Sequence, residues 1–220
     1  MSKVIFKFDK EKDLQNIWET CNFKSDWYNF KENLYPAYLE ICEGKEFEIC
    51  RDRILEHQKR LYDSELIKIF VKTIQEVWDN INDEFFKRLE KIMKKPICSK
   101  DFTGYITTMG RCPYDYEEPS FMVSLFYSLT HALVTCGHEI MHIQFHNTYW
   151  KEVEEKIGKE KTSDLKEALT VLLNLEFRDL WFMEDIGYKP HNDLRKFIED
   201  EWRKEKDFGI LMKKCVEFLK

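Results

Sequence analysis

Ser128-Leu129-Thr130-His131-Ala132-Leu133-Val134-Thr135-Cys136-Gly137-His138-Glu139-Ile140-Met141-His142-Ile143-Gln144-Phe145-His146-Asn147 decides how the rest of the chain is read. The run holds no proline and one glycine, Gly137, so it predicts a helix. Leu129, Leu133, Cys136, Ile140 and Ile143 fall on one apolar side of it. His138 and His142 are four residues apart and share another side, one turn from each other. Two imidazoles at that spacing can bind one tetrahedral zinc ion. The intervening Glu139 then stands beside the open coordination position, where it can act as a general base.

Working outward, Phe102–Met109 and Phe121–Tyr127 are β-branched and aromatic and predict strands. The turn-rich stretch between them, Gly110 to Pro119, predicts that they pair as a hairpin with a long loop. Upstream, Ile67, Phe70, Val71, Ile74, Val77, Trp78, Ile81, Phe85, Leu89 and Ile92 recur every three or four residues. They predict a long helix capped by Ser64 and stopped at Lys94-Lys95-Pro96. Residues 1–62 read as mostly helical. They hold a short strand at Val4–Phe8, a helix starting at Asp9 or Asp13, and another from about Phe47 to Tyr62. Downstream, helices are expected at about 149–159, 163–184, 191–204 and 207–219, with no internal repeat.

Composition narrows the class. The 220 residues suit one domain, and 43% hydrophobic content excludes a disordered chain. A net charge of -6 argues against general nucleic-acid binding. No apolar run approaches the roughly 20 residues needed to cross a membrane, and the start has no signal-peptide core. The seven scattered cysteines, with no C-x-x-C pair, suit reduced thiols. A cytoplasmic, soluble protein is the expectation.

A catalytic zinc site needs a third protein ligand. His146 lies two turns from His138 on a straight helix, and Ile143-Gln144-Phe145 offers no glycine at which to turn. That leaves Glu167, next to the small Ala168 near the start of a helix that Ser163 can cap, and Glu176, deeper along the same helix. His131, seven residues before His138, is read as structural.

The motif His138-Glu139-Ile140-Met141-His142, followed by a glutamate on the next major helix, resembles the gluzincin clan of metallopeptidases. The short span looks most like its small members, the minigluzincins. The resemblance covers roughly residues 100–175. It implies that His138, His142 and Glu167 bind Zn2+, with Glu139 as the catalytic base. It also implies an oxyanion donor from a later segment, for which Tyr188 and His191 are the candidates. In that family a strand above the cleft aligns the peptide by β-addition, a role that Phe121–Tyr127 or Phe102–Met109 would take here. Gly110-Arg111-Cys112-Pro113-Tyr114-Asp115 is similar to the cysteine-bearing segments that keep some metallopeptidases latent, although an ordinary loop is the expectation.

These readings combine into an α+β, mostly helical, zincin-like fold. It has a small antiparallel or mixed sheet, a long backing helix and the H-E-x-x-H helix. One domain spans 1–220, with a helical part at 1–95 and the strands, motif helix and C-terminal helices at 96–220. The function expected is zinc-dependent hydrolysis of peptide or protein substrates. The alternative is a non-catalytic helical metal-binding or interaction protein that retains the motif.

Overall fold

The computed structural model describes residues 2–24 and 28–220, which form an α+β, mostly helical chain around a small mixed sheet. Strand β1 (Lys3–Phe8) turns Val4 and Phe6 into the core and leaves Ile5 46% exposed, the alternation of a strand buried on one face. Asp9 then caps helix α1 (Lys10–Asn22), accepting from the backbone N–H groups of Glu11 and Lys12. Helices α2 (Pro36–Cys42) and α3 (Phe47–Tyr62) pack with α1 around a compact apolar cluster of Leu14, Ile17, Cys21, Cys42, Cys50 and Ile54.

The long helix α4 (Leu66–Met93) packs along the sheet, with Trp78 edge-on to Phe6 and Phe86 stacked on Phe102. It ends where expected. Lys94 turns into the left-handed region at φ 53°, and Pro96 prevents continuation. Its start differs from expectation. Ser64 donates to Leu61 O, and Glu65 occupies the cap position without a side-chain hydrogen bond. Gln75 of α4 covers the outer edge of β1, accepting from Phe6 N–H and donating to Val4 O. An otherwise bare strand edge is thereby satisfied.

Strands β2 (Asp101–Thr107), β3 (Tyr114–Asp115) and β4 (Ser120–Ser124) complete a sheet of order β1-β2-β4-β3 among the described residues. The expected hairpin of the two long strands is not formed. β2 and β4 are parallel, with Thr103 opposite Ser120 and Thr107 opposite Ser124. The chain leaving β2 travels back before it enters β4, and the hairpin is made one strand later. β3 runs antiparallel to β4, with Tyr114 opposite Phe121. Asp115 closes that turn by accepting from the N–H groups of Glu117 and Glu118.

Helix α5 (Leu129–Thr148) carries the histidine motif and is capped by Ser128. After α6 (Trp150–Ile157), the single helix expected at 163–184 is three: α7 (Lys159–Leu169), α8 (Val171–Glu176) and α9 (Arg178–Trp181). Gly158, at φ +80°, starts α7 four residues earlier than expected, so Ser163 lies inside the helix and does not cap it. Helices α10 (Asn192–Glu205) and α11 (Phe208–Leu219) close the chain. Among the described residues no helix is long and apolar enough to cross a membrane.

Gly137 is the close-approach point of α5. A Cβ there would lie 2.7 Å from Cη2 of Trp181, a buried ring stacked on Phe177. Gly137→Ala gains about 1 kcal/mol of helix propensity but loses about 1–3 kcal/mol to overpacking, because that ring has nowhere to move. The expected outcome is a net loss of up to about 2 kcal/mol in urea unfolding; a variant more stable than the parent would contradict the close packing.

Candidate metal centre

Each ligand candidate is delivered by a different local rule. The α5 periodicity aims His138 and His142 to one side, with ring centroids 4.2 Å apart. The last turn of α7 brings Glu167 to them from across the cleft. Glu167 Oε2 lies 3.3 Å from His142 Nε2 and 3.5 Å from His138 Nε2. Among the described residues these three form the group whose ligand atoms all lie within 4.8 Å of one another. A tetrahedral ion held at about 2.1 Å by nitrogen and oxygen spaces its ligand atoms by about 3.4 Å. The 3.3 and 3.5 Å edges match that spacing and the remaining pair lies within 4.8 Å, so the three side chains could hold a metal ion.

A partner that the sequence reading missed orients the first histidine. Asp185 Oδ2 lies 2.7 Å from His138 Nδ1. The carboxylate holds a proton on Nδ1, so that an Nε2 giving up its own proton would present its lone pair toward Glu167, the arrangement that prepares a histidine for a metal. Asp185 is itself braced. Arg195 Nη1 lies 3.0 Å from its Oδ1, Arg195 Nη2 donates to its carbonyl, and the Thr170 hydroxyl is 2.9 Å from Oδ1. The turn after Asp185 depends on Gly187, at φ +66°, where a Cβ would lie 2.6 Å from the Arg195 guanidinium. His142 is held by packing instead. Its ring lies 5.3 Å from Tyr114, and its buried Nδ1 has no hydrogen-bond partner among the described residues.

The electrostatics follow from burial and neighbouring charge. Burial disfavours a charge on His138, but Asp185 and Glu167 outweigh it and raise its pKa well above the usual value. Burial and the Lys166 ammonium push His142 down to about 3, so it is a neutral imidazole. Burial works against a charge on Glu167 too, yet the two histidines and Lys166 hold its carboxyl well below the ordinary range. Glu139 is raised to about 8 by burial, with the His138 charge opposing, so its carboxyl favours the protonated form near neutral pH, and a cation bound beside it would favour the ionised, proton-accepting form. Lys166 was also missed by the sequence reading. Its Nζ lies 2.7 Å from Glu167 Oε1 and 3.1 Å from the Tyr114 hydroxyl.

The three candidate ligands, Glu139 and Tyr188 share one cavity of about 660 Å³. Burial, together with the Glu167, Glu139 and Asp185 carboxylates, raises the Tyr188 hydroxyl, which keeps it protonated as a donor. His191 is placed elsewhere. It is buried with Nε2 3.1 Å from Asp164 Oδ1, and its ring meets Tyr188 at 6.1 Å. Glu176 is turned away, accepting from Trp202 Nε1 and Lys206 Nζ. His146 is sandwiched between Tyr116 and Trp150, and His131 stacks on Tyr127 in the cavity wall. Cys112 also lines the cavity, but desolvation and the Glu139 charge push its thiol up to about 12, far from a thiolate ligand. Among the described residues β2 lies between β1 and β4, so the 102–109 strand has no free edge, while β4 is paired on its outer side by the two-residue β3 only at Ser120 and Phe121.

Comparison of the chain with protein-family models, with curated proteins and with solved structures gives no match in any of the three.

Proposed function

We propose that this chain is a zinc-dependent peptidase with a zincin-like arrangement, in which His138, His142 and Glu167 hold the metal and Glu139 is the general base. One observation carries the reading. Three candidate ligand atoms converge within 4.8 Å of one another in a cavity, and a buried carboxyl group stands next in sequence to one of them. Two histidines and a single carboxylate with a fourth position open suit catalytic zinc better than calcium or magnesium, which favour oxygen ligands.

Zinc at such a site supplies a Lewis acid for the scissile carbonyl and lowers the pKa of water. Glu139 takes the proton of the attacking water and delivers it to the leaving amine. Tyr188 keeps its proton beside the carboxylates and donates a hydrogen bond to the oxyanion that develops on the substrate. The edge at Tyr114–Asp115, with Tyr114 in the cavity wall, is the place for an extended peptide to lie. Phe23, Tyr28, Phe30 and Tyr127 line the same cavity and suit bulky apolar side chains.

The purified protein is expected to hold stoichiometric zinc by elemental analysis and to cleave an unfolded protein, with both properties lost to a chelator and restored by zinc. Zinc without cleavage across broad peptide libraries would reassign the chain as a non-catalytic metal-binding protein. Absence of stoichiometric zinc would remove the metal centre itself.

A further inference from the structure

Lys166 and Glu167 are sequence neighbours on α7, and neighbours on a helix ordinarily point about 100° apart. Here both side chains turn into the same cavity. The Lys166 ammonium lies 2.7 Å from Glu167 Oε1, while the other oxygen, Oε2, faces the two histidine Nε2 atoms. The Tyr114 hydroxyl holds the ammonium from the far side at 3.1 Å, and its ring lies 4.9 Å from Nζ. Both Lys166 and Glu167 are 7% exposed, so little water reaches either of them.

We propose that Lys166 makes Glu167 a one-oxygen metal ligand: by occupying Oε1 it leaves Oε2 alone for the ion. The inference rests on the metal-centre reading and deepens it. A carboxylate with both oxygens free can grip a cation through both, which raises the coordination number and fills space needed by water or substrate. A carboxylate with one oxygen already engaged completes a three-ligand set and keeps the fourth corner open. Lys166 is a positioning residue. It acts on the reaction through Glu167, and it biases the site toward a small tetrahedral ion and away from larger cations that take two-oxygen carboxylates.

The experiment is visible absorption of the full chain loaded with cobalt(II), whose bands report coordination number. The parent is expected to show the intense bands of four-coordinate cobalt. Lys166→Met, shown to be folded by circular dichroism, is expected to give weaker bands shifted to shorter wavelength. Bands identical to the parent's in a folded Lys166→Met protein would overturn the proposal. If that variant does not fold, Tyr114→Phe takes its place. It loosens the ammonium from its second anchor and is expected to move the bands the same way in part; an unmoved spectrum there would also overturn the proposal. A parent that takes up neither cobalt nor zinc would defeat the metal centre itself, a failure visible before any variant is made.

Discussion

Glu139→Gln is expected to bind zinc as the parent does and to hydrolyse peptides about 10²–10⁴-fold more slowly, the range a positioned general base contributes. The substitution preserves shape and removes only the ability to accept a proton. Glu139 is 8% exposed in the cavity wall, so bulk water has poor access to replace it as a base. The three ligand side chains keep their mutual contacts, so elemental analysis should find the metal retained. A variant that cleaves at the parent rate would show that the carboxyl only packs, and the assignment of Glu139 as the general base would fail with it.

Asp185→Asn is expected to weaken zinc binding about 10–100-fold, the usual cost of losing the partner that orients a ligating histidine. The amide fills the same space but no longer presents a charged acceptor to His138 Nδ1. It also leaves the buried Arg195 without its ionic partner, so some loss of stability accompanies the loss of affinity. Competition with a chromophoric chelator measures the affinity directly. An affinity equal to the parent's would limit Asp185 to bracing its turn with Arg195 and Thr170.

The motif helix, the long α4 and the tight pair of histidines were legible because each depends on a local period. The glutamate that meets the two histidines was legible only as a choice between Glu167 and Glu176, since nothing local says which of them reaches α5. Asp185 could not be read at all. It lies 47 residues from His138 in an irregular stretch, and its role exists only once α8, α9 and α10 have folded back. The stretch Asp185-Ile186-Gly187-Tyr188-Lys189-Pro190 marked a break between helices and gave no sign of a partner for His138. Strand pairing failed for a similar reason. β3 is two residues long, too short for any alternation to show, yet it takes the antiparallel place beside β4. The break between α7 and α8 falls at Thr170, whose hydroxyl sits 2.7 Å from Glu167 O and receives the Arg195 guanidinium, and the break between α8 and α9 falls at Phe177. The Arg195 contact is a tertiary one competing with a helical sequence.

The pairing of Lys3 with Asp101 has a consequence for biogenesis. At roughly 5–20 residues per second of synthesis, the first strand waits about 5–20 seconds before its partner has been made. During that interval Val4 and Phe6 have no neighbouring strand, and a β-prone apolar segment is free to find one on another chain. Lys3 and Lys7 alternate with those residues and place positive charge along the waiting segment. They act as gatekeepers against intermolecular pairing at the stage when this chain is most exposed to it. Replacing both lysines should therefore lower soluble yield during expression while leaving the stability of protein that has already folded nearly unchanged.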